Sequence, residues 1–177
     1  MNKILILTGP AACGKNTIAP FIAKEREKCS IINVDMIRQI LVNPHKGPWE
    51  GEEGKKQQLL GVENACLLAK NFVNYGVDVI ILDVLQDDTA HLYKKLLQDY
   101  LVTIVLLLPS YEETKIRFEQ RYHTITVVEF NLVYKWQEEL TIYDKKIDNS
   151  NMPAKECAEK LNFLLKILFP NSKVSNG

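Results

Sequence analysis

The chain of 177 residues has few arginines and no excess charge of either sign. It holds four arginines and three histidines, and its 22 Lys and Arg residues are balanced by 22 Asp and Glu residues, which gives a formal net charge of +0. A protein without a basic excess has no overall field that attracts nucleic acid or an anionic membrane. The composition therefore argues against a nucleic-acid partner.

Long apolar runs and paired cysteines are also missing. No run approaches the roughly 20 apolar residues of a membrane-spanning helix, and the run after Lys3 stops at Thr8-Gly9-Pro10, too early for a signal peptide. The four cysteines are scattered without a C-x-x-C pair, which is typical of reduced thiols; they are Cys13, Cys29, Cys66 and Cys157. We therefore expect a cytoplasmic protein without a membrane segment.

What is present is the composition of a globular domain, with 46% hydrophobic and 25% charged residues. Short apolar runs predict buried strands at 4–7, 30–34, 77–82, 101–108 and 147–148. Helical patterns alternate with them at 17–28, 35–40, 55–75, 89–100, 110–121, 127–140 and 152–169, and a loop is predicted at 43–54. This alternation predicts a three-layer α/β/α domain with a mainly parallel five-stranded sheet. We expect one domain over 1–170 and a loose tail at 171–177.

Several helix ends carry local signals. Asp35 follows the second strand and is expected to cap the next helix. Gly76 is expected to stop the long helix as a C′ glycine. Ser110 with Glu113 is expected to form a capping box.

The segment after the first strand carries the strongest functional signal. A strand, a Gly-rich turn, a Gly-Lys pair and a helix follow one another, which is the order of a phosphate-binding P-loop. Glycines let the backbone approach an anion, freed N–H groups and the helix N-terminus attract it, and the lysine reaches the β- and γ-phosphates. The predicted phosphate-binding residues are Gly9, Ala11, Ala12, Cys13, Gly14, Lys15, Asn16 and Thr17.

Asn16 departs from the P-loop pattern, because the residue after the lysine should be a Ser or Thr whose hydroxyl ligates Mg²⁺. The amide carbonyl of Asn16 supplies an oxygen that could still serve. This departure is the main local argument against full activity.

The next signal is Asp35, which stands three residues before Arg38 at the end of the second strand. A carboxylate there can accept a proton from an attacking hydroxyl, and a guanidinium can hold an acceptor group bidentately. A helix cap and a surface arginine would explain the same pair, but its distance behind a P-loop favours the functional interpretation.

Together, these motifs resemble the P-loop kinases that phosphorylate a hydroxyl. That group includes chloramphenicol phosphotransferase-like and gluconate kinase-like enzymes and the kinase domain of polynucleotide kinase, whose Asp-x-x-Arg is locally the most similar. The resemblance extends with gaps from residue 1 to about 150. It implies ATP and Mg²⁺ as cofactors, Asp35 as the general base and Arg38 as a phosphate contact.

The resemblance also implies a helical lid at about 115–130. Its arginines, Arg121 ahead of Arg117, would close over ATP and stabilise charge on the transferred group; a solvated helix face is the alternative.

Asp83 ends the third strand and is either a magnesium-linked acid or a turn residue. Residues 147–150 resemble, weakly, a loop that lines the adenine pocket.

Three functions remain open on the sequence. The first is an ATP- and Mg²⁺-dependent kinase, a phosphotransferase acting on a small-molecule hydroxyl. The second is a polynucleotide 5′-hydroxyl kinase, which the neutral charge disfavours. The third is a nucleotide-binding protein with little transfer activity, which Asn16 motivates.

The predicted metal ligands are Asn16 and Asp83. The 43–54 loop, with His45, Lys46 and Trp49, is expected to face the acceptor.

Overall fold

The computed structural model describes residues 3–168 and contains one sheet of five strands. The strands are Lys3–Thr8 (β1), Cys29–Asn33 (β2), Asp78–Leu82 (β3), Leu101–Leu107 (β4) and Lys145–Ile147 (β5). Their spatial order is β2-β3-β1-β4-β5, and each of the four pairings is parallel. The predicted α/β class with a parallel five-stranded sheet is confirmed, whereas the predicted tail at 171–177 lies outside the described residues.

Seven helices are described, and they connect or follow the strands. They are Lys15–Lys24 (α1), Val34–Gln39 (α2), Gly51–Asn74 (α3), Asp87–Leu96 (α4), Tyr111–Glu119 (α5), Val127–Glu139 (α6) and Ala154–Leu168 (α7). Within residues 3–168, no helix combines the length and the apolar composition that crossing a bilayer requires.

The helices cover both faces of the sheet, so that strand side chains are buried on each side. Along β1, Ile4 and Ile6 point into a core shared with α3 and α4. Leu5 and Leu7 point the opposite way, into a core shared with α1 and α7. This alternation follows from the two-residue period of a strand, and it explains why the strands read as continuous apolar runs.

Several helix starts differ from the prediction, and the first three helices give the reasons. Helix α1 begins at Lys15, two residues early, because Gly14 adopts a left-handed conformation with φ of 101° and serves as its N-cap. The side chain of Asn33, not Asp35, caps α2 by accepting a hydrogen bond from the Asp35 N–H at 3.0 Å. Helix α3 begins at Gly51, inside the stretch predicted as a loop.

The predicted signals at two other helix ends have different outcomes. After α3, the Gly76 N–H bonds Val73 and the Val77 N–H bonds Phe72, both at 3.0 Å, so the predicted glycine stop is confirmed as a Schellman motif. Before α5, the Ser110 hydroxyl accepts from the Glu113 N–H, but the Glu113 carboxylate bonds Arg117 instead of returning to Ser110. Only half of the predicted capping box forms.

Candidate active site

The loop between β1 and α1 has the backbone of an anion-binding cradle. Gly9, Ala12 and Gly14 have φ values of 152°, 66° and 101°, all in the region that favours glycine. A Cβ on Gly9 would collide with the Leu107 carbonyl of β4, so no other residue fits there. No side chain caps the N-terminus of α1, which leaves its first N–H groups to a bound anion.

The Lys15 side chain lies against the P-loop and lines the cavity. Its ammonium donates to the carbonyl oxygens of Gly9 at 2.6 Å and Pro10 at 3.1 Å. These two bonds hold the ammonium at the cavity, where a compact cation can bind the outer phosphates of a nucleotide.

The segment after β5 forms hydrogen bonds that hold the P-loop in place. The buried Asn149 side chain donates to the Cys13 carbonyl at 2.9 Å. Arg117 donates to the carbonyls of Asn149 and Ser150 at 3.0 and 2.8 Å, and its Nε bonds Glu113 at 2.7 Å. In this conformation Arg117 supports the P-loop from outside the cavity and does not lie beside Arg121 in its lining.

Asp35 and Arg38 lie together at the opposite side of the cavity, on α2. The Arg38 guanidinium is 3.9 Å from the Asp35 carboxylate and donates to the Lys46 carbonyl at 2.8 Å. The Asp35 side chain is 67% exposed and the Arg38 side chain only 10%. The carboxylate is therefore accessible to a substrate, while the arginine is held in place.

Asp83 lies at the floor of the cavity, where β3 ends. Its two oxygens accept from the Val84 N–H and the Tyr93 hydroxyl, each at 2.8 Å. Burial raises the pKa of the Asp83 carboxyl to about 7, because desolvation outweighs these hydrogen bonds and the nearby Asp35 adds to the rise. Burial therefore favours the neutral form of this carboxyl, whereas a bound cation would favour the charged form.

Asn16 lines the cavity beside Lys15, and its amide oxygen accepts from Asn33 at 3.4 Å. Within residues 3–168, no three His, Cys, Asp or Glu side chains gather into a metal cluster. Magnesium in phosphoryl-transfer sites needs only one or two protein oxygens besides the phosphates. The amide oxygen of Asn16, at the start of α1, fits such a role.

The turn between α5 and α6 closes another side of the cavity. Arg121, Tyr122 and His123 line it, and the His123 ring stacks on Phe118 with ring centroids 4.1 Å apart. Phe118 in turn packs on Phe130 and on Ala12 of the P-loop. An aromatic stack therefore joins the predicted lid to the phosphate-binding loop.

The cavity has a volume of about 350 Å³ and brings most of the predicted site residues together. Those in its lining are Ala11, Ala12, Cys13, Gly14, Lys15, Asn16, Thr17, Asp35, Arg38, Asp83 and Arg121. Gly9 and Arg117 are not among the lining residues. Of the residues expected to face the acceptor, Trp49 lines the cavity, whereas His45 and Lys46 do not.

Several residues of the site were not predicted, among them Gln58 and Trp136, which line the cavity. Gln137 is not in the lining but connects α6 to β1 and to the segment after β3. The buried Gln137 amide accepts from the Thr8 hydroxyl at 2.7 Å and donates to the Leu85 carbonyl at 2.6 Å. The sequence signal for Trp136 was its rarity, since the chain has only two tryptophans; no comparable signal marks Gln58 or Gln137.

Comparison with known proteins identifies the family of the chain. The chloramphenicol phosphotransferase-like protein family matches residues 2–166. The chain belongs to this family. Comparison with curated protein sequences gives no significant match.

Solved structures share the fold of this family member at low sequence identity. A sugar kinase from Janibacter is 18% identical with a TM-score of 0.73, covering 94% of this chain and 96% of that one. A Deinococcus radiodurans tunicamycin resistance protein is 13% identical with a TM-score of 0.69, covering 93% and 96%. The Mycobacterium tuberculosis APS kinase, in complex with AMPPNP and APS, is 15% identical with a TM-score of 0.67, covering 93% and 98%. The predicted resemblance to P-loop kinases is confirmed.

Proposed function

We propose that the chain is an ATP-dependent kinase that transfers the γ-phosphoryl group to a hydroxyl of a small molecule. The observation that carries this proposal is that one cavity is lined by the P-loop on one side and by Asp35 and Arg38 on the other. Phosphoryl transfer needs little more from a protein than the positioning of donor and acceptor and the stabilisation of charge. Membership of a phosphotransferase-like family supports the same function.

The reaction assigns a role to each side of the cavity. The P-loop N–H groups and Lys15 hold the β- and γ-phosphates of ATP. The acceptor hydroxyl oxygen attacks the γ-phosphorus, its bond to phosphorus forms as the bond to the ADP oxygen breaks, and Asp35 accepts the hydroxyl proton. Arg38 orients the acceptor, and Arg121 approaches the transferred group from the proposed lid at about 115–130. Mg²⁺ would neutralise phosphate charge, with Asn16 supplying an oxygen.

A nucleotide-binding protein with little transfer activity is the second candidate, and Asn16 favours it. A polynucleotide 5′-hydroxyl kinase has less support. Among the described lining residues of the acceptor side, Arg38 is the cation, and Asp35 and Asp83 add negative charge beside it. A nucleic-acid strand needs several cations along its backbone.

The test is transfer of radiolabelled γ-phosphate from ATP to a panel of hydroxyl acceptors. The panel includes chloramphenicol and tunicamycin, which the names of the relatives suggest, and an oligonucleotide with a 5′-hydroxyl. We expect a labelled small molecule with the wild type and at least 100-fold less with Lys15→Ala, measured beside nucleotide affinity by calorimetry. Nucleotide binding without transfer to any acceptor would favour the second candidate, and a labelled oligonucleotide alone would overturn the small-molecule assignment.

A further inference from the structure

Asn33, the last residue of β2, lies between α1 and α2, and its side-chain amide bonds to both helices. The amide oxygen accepts from the Asp35 N–H at 3.0 Å, and the amide nitrogen donates to the side-chain oxygen of Asn16 at 3.4 Å. All three residues line the cavity. One short side chain therefore connects the residue proposed to supply a metal oxygen with the residue proposed as the base.

The bond to Asp35 determines which way the Asn33 amide is turned. A backbone N–H can only donate, so the Asn33 atom that faces it must be the oxygen. The NH₂ group of Asn33 then faces Asn16. Asn16 must present its own oxygen there, because the nitrogen of an amide does not accept hydrogen bonds. Each of the two amides is thereby left with one consistent orientation.

Asn16 gains a defined orientation from this bond. Its side chain is exposed, in the first turn of α1, and an exposed asparagine is otherwise able to turn about its side-chain bonds. In some orientations it would present its NH₂ group, which cannot ligate Mg²⁺. The bond from Asn33 excludes these orientations. Because an amide oxygen has two lone pairs, accepting from Asn33 still leaves one for a cation.

The partner of position 16 has to be a donor because the residue there is not a hydroxyl. A serine or threonine that ligates through its oxygen keeps a proton, which a neighbouring acid can accept. An amide oxygen has no proton, so an acid would repel it and a donor holds it. Asp83, the acid after β3, bonds elsewhere, since its oxygens accept from the Val84 N–H and the Tyr93 hydroxyl.

We propose that Asn33 is a positioning residue, which keeps the oxygen of Asn16 and not its NH₂ group presented to the divalent cation of a bound nucleotide. This inference rests on the proposed kinase function and assigns a role to a residue outside both the P-loop and the Asp35–Arg38 pair. Outer partners of this kind orient metal ligands, and their loss typically lowers metal affinity or activity by about 10- to 100-fold.

The first experiment measures metal binding in the nucleotide complex without transfer. Calorimetry gives the Kd of a non-hydrolysable ATP analogue without and with saturating Mg²⁺, and we call the ratio of the two values the metal enhancement. Asn33→Ser is the test variant, because serine caps a helix as well as asparagine does but has no amide to reach Asn16. We expect the metal enhancement to fall at least fivefold and the metal-free Kd to change less than twofold. Asn71→Ser, at an exposed position on α3, is the matched control.

A cycle of double variants tests whether Asn33 acts through Asn16. A serine at position 16 has no NH₂ group to exclude and carries its own proton, so Asn33 should be dispensable beside it. We therefore expect Asn33→Ser to change the metal enhancement less than twofold when it is added to Asn16→Ser. An equal loss in both backgrounds would show that the two residues act independently and would overturn the proposal.

Mn²⁺ in place of Mg²⁺ gives a spectroscopic readout. The electron paramagnetic resonance spectrum of Mn²⁺ bound together with the analogue reports on the ligands of the metal. We expect Asn33→Ser and Asn16→Ala to alter this spectrum, whereas Asn71→Ser should leave it as in the wild type. A wild-type spectrum for either Asn33→Ser or Asn16→Ala would contradict the proposal.

The remaining outcomes separate this inference from the kinase function. An unchanged metal enhancement in Asn33→Ser, with transfer still measurable, would overturn the role of Asn33 and leave the kinase function intact. A loss of metal-free nucleotide binding in Asn33→Ser would assign Asn33 a structural role and would equally overturn the proposal. A metal enhancement that depends on Asn33, without transfer to any acceptor, would contradict the kinase function and leave the role of Asn33 standing.

Discussion

Asp35 and Arg38 are one turn apart on α2, yet they differ in how firmly they are held. The Arg38 guanidinium is buried and bonded to the Lys46 carbonyl, whereas the Asp35 carboxylate is largely exposed to the cavity. A fixed cation beside an accessible carboxylate suits a base that must receive a proton from a bound hydroxyl.

Replacing Asp35 with asparagine tests the proposed base. Asp35→Asn keeps the shape of the side chain and removes the proton acceptor, so turnover should fall by roughly 100-fold or more while ATP affinity stays nearly constant. Steady-state kinetics and calorimetry with the ATP analogue measure the two quantities. Glu52→Gln, at the exposed start of α3, is the matched control. Unaffected turnover would move the base elsewhere, with Asp83 as the next candidate.

Asn16 allows a second prediction at the residue scale. A serine hydroxyl lies one bond closer to the backbone than the amide oxygen and is a common Mg²⁺ ligand in P-loops. Asn16→Ser should therefore tighten the binding of Mg·ATP relative to free ATP and raise the transfer rate. Titration of activity with Mg²⁺ at fixed ATP measures the change. If metal affinity and turnover are both unchanged, position 16 is not a ligand of the metal.

At the scale of elements, α3 approaches α2 closely because Gly61 has no side chain. A Cβ built at this position would be 2.7 Å from Cγ of Arg38 and 3.2 Å from a methyl group of Val34. The missing side chain at Gly61 therefore leaves room for the buried aliphatic part of the Arg38 side chain. A glycine inside a helix costs about 1 kcal/mol relative to alanine, so its presence here has a packing reason.

Gly61→Ala should displace Arg38 and lower kcat/KM for transfer by at least roughly 10-fold, the effect of about 1.4 kcal/mol in the transition state. The gain in helix propensity should offset part of any loss of stability. Asn71→Ala, at an exposed position ten residues further along α3, improves propensity and is the matched control. Equal kinetics for Gly61→Ala and wild type would show that the Arg38 position tolerates the shift.

The strands and the P-loop were predictable because buried apolar runs and a Gly-Lys pair are local signals. Helix starts were less predictable. Gly14 caps α1 through its backbone conformation, and Asn33 caps α2 through the direction of its side chain. The position of Arg117 outside the cavity lining was not predictable, because its partners Asn149 and Ser150 are more than 30 residues away in the chain. Gln58 carried no signal, because a polar residue on a helix is ordinarily read as exposed.

For the whole molecule, the strand order places the charged residues of the site at different positions along one edge of the sheet. The P-loop and the proposed lid contribute Lys15 and Arg121 on one side, and the ends of β2 and β3 lead to Asp35 and Asp83 on the other. Asp83 is the acid of this group that is buried, at 8% exposure. Its raised pKa makes the stability of the whole fold dependent on pH.

The last prediction concerns that dependence. Because burial raises the pKa of Asp83 to about 7 in the folded state, the folded protein binds a proton there that the unfolded chain has lost above about pH 4. The free energy of unfolding should therefore decrease through this group as pH rises from 5 towards 7. Asp83→Asn removes the titration, and the Tyr93 hydroxyl can accept from the new amide, since a hydroxyl both donates and accepts.

Denaturant unfolding of the wild type and Asp83→Asn at pH 5, 6, 7 and 8 tests this. The variant should gain stability relative to the wild type with rising pH, by on the order of 1 kcal/mol per pH unit up to pH 7 and little beyond. Asp99→Asn, at an exposed position after α4, should give a profile parallel to the wild type. Parallel profiles for Asp83→Asn as well would mean that the carboxylate stays charged in the fold, where it would be free to act as a base or metal ligand at neutral pH.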